Sequence, residues 1–84
     1  MCSTLVKGLA SFNSCFANSE VAEQFLTFFP GALGLSVLNL AWHDLGRAER
    51  NSLWLRNESL GIAFEFTRDS SNTLVVADYS RTLH

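Results

Sequence analysis

Few residue patterns in this sequence identify a chemical activity. The 84 residues include two cysteines, one proline and five glycines. Two cysteines without a CxxC spacing are too few for a disulfide-dense scaffold, so the sequence predicts free thiols at Cys2 and Cys15 and a reducing, cytoplasmic location. The glycines form neither a GxGxxG nor a Walker pattern, so no phosphate-binding loop is predicted.

Hydropathy and charge do not indicate a membrane or a nucleic acid as a partner. No run approaches the roughly 20 apolar residues of a membrane span, and residues 1–17 lack the basic start of a secretory signal. The formal net charge is −2, and Arg47, Arg50 and Arg56 alternate with acidic residues. Such mixed charge is typical of a solvated segment rather than of a track for phosphates.

The residues that could support catalysis or bind a metal are not arranged in a known pattern. Cys15, His43 and Asp44 supply a nucleophile, a base and an acid, but no nucleophile elbow or glycine-rich oxyanion segment accompanies them. His43, Asp44, Glu49 and His84 are metal-ligand types, yet no HxH or HxxxH spacing places two of them together. The sequence therefore predicts a protein that is not an enzyme and that binds no metal or cofactor.

The composition is that of a compact globular protein. Hydrophobic residues make up 48% of the chain, with seven Phe and two Trp, and charged residues make up 17%. We predict one domain over residues 1–84. Because so short a chain buries only roughly 60% of the surface of its unfolded form, some of this apolar material is expected to be exposed or shared with a partner.

Two helices are predicted in the first part of the chain. The first begins near Ser3 or Thr4, because four apolar residues recur at helical spacing: Leu5, Leu9, Phe12 and Phe16. The second has a capping residue at Asn18 or Ser19, acidic residues in its first turns, and the helix-ending pair Pro30-Gly31. Its aromatic stripe is expected to pack on a large apolar surface.

That surface is predicted to be a sheet formed by the second half of the chain. Taking residues 69–72 as a turn pairs Arg68 with Thr73, and taking Asn57-Glu58 as a two-residue turn pairs Leu55 with Leu60. Both registers place apolar residues on one face, beneath the helices. These residues are Leu53, Leu55, Leu60, Ile62, Phe64, Phe66, Val75, Ala77 and Tyr79.

Residues 33–45 fit two patterns. Leu38, Leu40 and Trp42 alternate as in a strand, whereas Leu35, Leu38, Trp42 and Leu45 form a helical stripe. We predict a strand, because glycine and Pro30-Gly31 precede the segment and residues 46–51 read as a connection. The predicted fold is α+β, with two N-terminal helices packed on one face of a four-stranded antiparallel β-meander.

The opposite face of this sheet is the predicted binding site. It groups a tryptophan and aliphatic residues within a charged rim, which is the composition of a protein-binding patch. The predicted partner-binding residues are Trp54, Arg56, Glu65, Arg68, Leu74, Val76 and Asp78. The partner is another protein, or a second copy of the chain in a homodimer.

The function predicted from this patch is that of a small protein-binding module. Its size, acidity and aromatic-rich surface are typical of an inhibitor of the toxin-immunity or phage anti-defence kind, which is an analogy of type and not of residues. One alternative is a homodimeric ligand-binding domain or a subunit of an enzyme complex, with a cavity near Cys15, Phe28 and Tyr79. Another is that the apolar residues of this face are scattered exposed side chains without a role.

Overall fold

The computed structural model describes residues 14–48 and 51–82. Its helices and strands are β1 (Ser14–Phe16), α1 (Ser19–Phe28), α2 (Gly31–Ala48), β2 (Ser52–Asn57), β3 (Ile62–Arg68) and β4 (Leu74–Arg81). The predicted α+β class, with two helices and a four-stranded sheet, is confirmed. The helix predicted from Ser3 or Thr4 lies mostly outside the described residues, and Phe16, the last residue of its predicted apolar stripe, belongs to β1 instead.

The sheet is mixed and not a purely antiparallel meander. Its strand order is β1-β4-β3-β2. The pairs β2-β3 and β3-β4 are antiparallel, whereas β1 is parallel to β4. The prediction of four antiparallel strands is wrong because the fourth strand comes from residues before the helices and not from residues 33–45. After β1, the chain passes through both helices before it enters β2 at the opposite edge.

Helix α1 confirms the prediction made from its capping residues. The Oδ1 atom of Asn18 accepts a hydrogen bond from the backbone N–H of Val21 at 2.9 Å. At the other end, the N–H of Phe29 donates to the carbonyl of Phe25 at 2.8 Å. These contacts satisfy backbone groups that have no partner inside the helix.

Helix α2 replaces the strand predicted for residues 33–45. Leu38, Ala41 and Leu45 are buried on one helical stripe, so the helical alternative is correct. Pro30 and Gly31 separate α1 from α2, and Gly31 has a φ of 54°. Gly34 was predicted to precede a strand, but it lies inside α2. A Cβ at this position would come within 2.5 Å of the carbonyl oxygen of Phe29. Gly34 therefore permits close contact between the helices.

The β3-β4 turn is one residue longer than predicted. Oδ1 of Asp69 accepts hydrogen bonds from the backbone N–H groups of Ser71 and Thr73, both at 2.9 Å, and Asn72 has a φ of 63°. Arg68 therefore pairs with Leu74 and not with Thr73. A shift of one residue turns every side chain of a strand to the other face, so the beginning of β4 was assigned to the wrong face.

A β-bulge restores the predicted orientation further along β4. The register shifts between Glu65 and Phe66, which leaves Ala77 without a partner in the ladder and pairs Phe64 with Tyr79. Tyr79 therefore lies on the same face as Phe64, as predicted. The predicted placement of Val75 on that face is wrong, because Val75 pairs with Thr67 in the part of β4 before the bulge.

The β2-β3 turn is also longer than predicted, but its faces are correct. Residues 58–61 form the turn, in which Gly61 has a φ of 65°, and Leu55 pairs with Phe64 and not with Leu60. The partner of Leu55 in β3 therefore differs from the predicted one by an even number of residues, so Leu55 stays on its predicted face. Leu60 does not share that face, because it lies in the turn and is exposed.

Both helices contact one face of the sheet, which we call the inner face. The ring of Phe25 in α1 lies 5.4 Å from that of Phe64 and 6.3 Å from that of Phe66. Trp42 in α2 contacts Arg68 of the same strand, and residues two apart in a strand share a face. Within the described residues, neither helix alone is long and apolar enough to cross a membrane; only the two together, at 112° to each other, reach that length and composition.

The register of β4 can be tested with two neighbouring valines. Val76 is fully buried on the inner face and Val75 is half-buried on the other face. Val76→Ala should lower the free energy of unfolding by about 2 kcal/mol, because it leaves a cavity in the core. Val75→Ala should cost less than about 1 kcal/mol. Urea denaturation followed by circular dichroism measures both, and equal losses would contradict this register.

The β3-β4 turn should make stability depend on acid pH. Hydrogen bonds from the Ser71 hydroxyl and then from the Thr73 N–H lower the pKa of Asp69 below 3.8. A lowered folded-state pKa stabilises the fold above the unfolded pKa, and this contribution is lost as pH falls through the folded value. Asp69→Ala should therefore melt below the parent at about pH 7, with the difference closing below about pH 3.8.

The comparison with Asp69→Asn separates charge from hydrogen bonding in the turn. Asparagine keeps an acceptor oxygen but cannot ionise, so this variant should retain part of the stability while losing the acid dependence. Thermal melts at several pH values measure both effects. A constant difference between parent and Asp69→Ala at every pH would show that the side chain acts through hydrogen bonds alone and that its charge does not stabilise the turn.

Candidate functional site

The face of the sheet that points away from both helices is called the outer face here. Its side chains are those that alternate with the inner-face residues along each strand. The pairing of the strands arranges them in rows that run across the sheet. The rows are Cys15, Val75, Thr67 and Ser52; then Asp78, Glu65 and Trp54; then Ser80, Ala63 and Arg56.

Four of the predicted partner-binding residues lie on the outer face. Trp54, Glu65 and Asp78 form one row, and Arg56 begins the next row beside Trp54. Trp54 is 37% exposed, Glu65 is half-buried, and Arg56 and Asp78 are exposed. The structure therefore brings together an aromatic ring, one cation and two carboxylates, as the sequence predicted for these four.

Leu74 and Val76 do not belong to this surface. Both are fully buried on the inner face, in the core that contains Phe16, Phe64 and Phe66. The prediction that they are exposed is wrong because the turn before β4 is one residue longer than assumed. The outer face is therefore more polar than predicted, since Val75 is the aliphatic residue that β4 places there before the bulge.

Arg68 is also on the inner face. Its guanidinium carbon lies 4.0 Å from the centre of the Trp42 ring, and its Nη2 donates to the Trp42 carbonyl at 2.6 Å. Its Nη1 lies 3.4 Å from Oδ1 of Asn72. These contacts join the end of β3 to α2 and to the turn, which assigns Arg68 to the fold rather than to the rim of the predicted patch.

A shallow cavity of about 330 Å³ lies at one end of the outer face. Ala63 contributes to its lining and is buried despite being on this face, with Arg56 and Ser80 as its neighbours on either side. Asn57, Glu58 and Thr82 complete the polar lining. The cavity therefore combines one guanidinium, one amide, one carboxylate and two hydroxyls around a small apolar centre.

The sequence predicted neither Ala63 and Ser80 as a pair nor the cavity. The small side chain of Ala63, between bulkier residues at 62 and 64, could have indicated a cavity at this point of the sheet. To infer the cavity from it, the residue opposite Ala63 in β4 must be known. With the predicted register, Ala63 lay opposite Asp78, whereas the longer turn and the bulge place it opposite Ser80. Turn length is therefore what concealed this part of the surface.

The residues considered for catalysis are not shown to form a site. Cys15 is disulfide-bonded, so the prediction of a free thiol there is wrong, and Cys2 lies outside the described residues. His43 is exposed on α2, and Asp44 forms an ion pair with Arg47. In the described ranges, no three His, Cys, Asp or Glu residues are close enough to hold a metal ion; Glu49 and His84 lie outside those ranges.

No protein-family model, curated protein or solved structure matches this chain. Its function is therefore inferred from the surfaces just described.

The structural role of Arg68 can be tested against an arginine of the outer face. Arg68→Met keeps the length of the side chain but removes the hydrogen bond to Trp42 and the cation–π contact, so it should lower the free energy of unfolding by about 1–2 kcal/mol. Arg56→Met, on the exposed face, should cost less than about 0.5 kcal/mol. Chemical denaturation measures both variants. If Arg68→Met were as stable as the parent, Arg68 would be available to the surface after all.

Proposed function

We propose that this chain is a small, non-enzymatic protein-binding module that acts through the outer face of its sheet. The observation that carries the proposal is the position of Trp54, which is 37% exposed and sits between Glu65 in its own row and Arg56 in the next. Tryptophan and arginine are the residues that most often dominate the energy of protein interfaces. Charged neighbours around such an anchor supply a polar rim.

The binding residues of this module are Trp54, Arg56, Glu65 and Asp78, with Ala63 and Ser80 added. Arg68, Leu74 and Val76 are omitted because they lie on the inner face. The revised surface has one aromatic anchor and more polar area than the sequence predicted. Two carboxylates against one guanidinium favour a protein partner over nucleic acid, whose phosphates select for basic surfaces.

The core supports a binder more than a ligand-binding domain. The cavity between α1, α2 and the core measures about 30 Å³, whereas pockets for drug-sized ligands measure about 300–1,000 Å³. The cavity of about 330 Å³ on the outer face reaches that range, but it is shallow and belongs to the proposed binding surface. The cavity predicted near Cys15, Phe28 and Tyr79 would need these residues on one side. Phe28 and Tyr79 do stack at 6.0 Å, but Cys15 lies on the outer face.

An inhibitor role, of the toxin-immunity or phage anti-defence kind, is the specific form of this proposal. In that role the outer face covers the working surface of an enzyme, with Trp54 inserted into a pocket of that enzyme. The cytoplasmic location stays a prediction, and the disulfide of Cys15 removes one of its grounds, since disulfides persist mainly in oxidising compartments.

Capture experiments with variants test the proposed surface. The chain is immobilised and exposed to an extract of its native cells, supplemented with a labelled second copy of the chain. Trp54→Ala should reduce the retained partner about tenfold or more, because an anchor tryptophan is worth about 2 kcal/mol or more. Asp78→Arg should reduce it as well, because it reverses a charge of the polar rim. His43→Ala, an exposed ring on α2, is the matched control and should retain the partner.

Circular dichroism and thermal melts verify that each variant is folded. Asp78→Arg serves as the second variant because Asp78 is exposed and is not part of the core. If no protein, including the labelled copy, is retained by the parent, the chain is not a binding module. If the His43 variant alone loses the partner, the binding surface lies on the helices.

A further inference from the structure

Strand β2 is an edge strand whose outer hydrogen-bonding side has no partner among the described residues. The order β1-β4-β3-β2 leaves β2 paired only with β3, through a continuous register from Ser52 to Asn57. Natural edge strands are usually protected by proline, lysine, a bulge or short length. β2 has six residues, SLWLRN, with neither proline nor lysine. It therefore offers a regular row of backbone donors and acceptors for another strand.

Helix α2 contacts β2 and carries an apolar strip on its side away from α1. Leu35 lines a cavity with Phe25 and Phe29, so that side of α2 faces α1. Val37 is about 200° further around the helix and therefore faces away from α1. Leu33 and Leu40, one turn before and after Val37, are 55% and 50% exposed.

The inner-face residues of β2 are incompletely covered as well. Leu53 and Leu55 pack against the core but are only half-buried. They form a partly covered apolar border along the open edge of the sheet. Exposed apolar surface next to unpaired strand edges is typical of an association surface.

The charges on the outer face are complementary to those of a second copy. Two adjacent rows of the outer face end at the β2 edge. One ends with the Trp54 ring and contains Glu65 and Asp78. The other ends with the Arg56 guanidinium and contains Ala63 and Ser80. If two β2 strands pair antiparallel about Leu55, Trp54 of each copy lies opposite Arg56 of the other. The acidic row of one copy then continues directly into the basic row of the other.

We propose that this chain forms a symmetric homodimer in which two β2 strands pair antiparallel about a two-fold axis at Leu55. This proposal rests on the proposed binding role of the outer face, and it identifies the partner as a second copy of the chain in place of a target enzyme. The two four-stranded sheets become one sheet of eight strands. Each Arg56 guanidinium lies against the partner's Trp54 ring and extends toward the partner's Glu65 carboxylate.

The neighbouring registers satisfy these groups less well. An axis at Arg56 places the two guanidinium groups directly opposite each other, which is destabilising. An axis at Trp54 pairs Arg56 with Ser52 and brings the two acidic rows into line. Of these three axes, only the one at Leu55 pairs each guanidinium with an indole ring. A cation within about 6 Å of a ring centre is attracted to it. The same axis places Leu55 opposite its own counterpart.

Sedimentation and a charge-exchange series test the dimer. Analytical ultracentrifugation of the parent over a range of concentrations should show a species of twice the 9.3 kDa monomer mass. Arg56→Glu and Glu65→Arg should each raise the dimer Kd about tenfold or more, which corresponds to about 1.4 kcal/mol. The double variant should recover much of the affinity, because the two charges face each other across the interface. Arg81→Glu, on β4, is the charge-matched control and should leave the Kd unchanged.

Hydrogen exchange identifies the strand involved. On dimerisation, alternate backbone amides of β2 should become protected, since a strand directs every second N–H toward each neighbour. A monomer at every concentration would overturn the dimer, as would a dimer that is insensitive to both single charge variants or leaves β2 unprotected. A monomer that still retains another protein through Trp54 would overturn this inference alone and leave the proposed function intact.

Discussion

The packing of the Phe25 ring is the interaction on which the rest of the structure depends. From the middle of α1 it contacts Phe16 of β1, Phe64 and Phe66 of β3, and Phe29 at the end of its own helix, with ring centres 5.4–6.3 Å apart. One side chain thus connects three elements of the fold. Because α1 is held against the inner face in this way, neither the outer face nor the β2 edge is covered by this helix.

The sequence predicted the structure best where local chemistry decides it. The Asn18 cap and the Pro30-Gly31 stop define α1, and alternating apolar residues define β2 and β3. The prediction failed for residues 33–45 because a run of leucines satisfies both periodicities, and glycine was read as a break. Gly34 instead serves contact between the helices, which is a tertiary requirement. The strand β1 has only three residues, too few for a periodic signal.

The candidate site was predicted in part, and the missing part has one physical cause. Trp54, Arg56 and Glu65 precede the long turn and were assigned to the correct face. Leu74 and Val76 follow the turn and were assigned to the wrong face. The hydrogen bonds of Asp69 and the left-handed conformation of Asn72 make the turn one residue longer, and composition alone does not reveal this. Asp78 was assigned to the correct face only because the unpaired Ala77 shifts the register by one more residue, which cancels the effect of the longer turn on the faces of β4.

The bulge at Ala77 allows the length of β4 to change by one residue without reversing its faces. Ala77 has no partner in the ladder, so its deletion would keep Val76 opposite Phe66 and Asp78 opposite Glu65. A residue lost between Leu74 and Val76 would instead bring Ala77 into the ladder, which leaves Asp78 and Tyr79 on their present faces. The row of Asp78, Glu65 and Trp54 therefore stays aligned through a loss of length on its own strand.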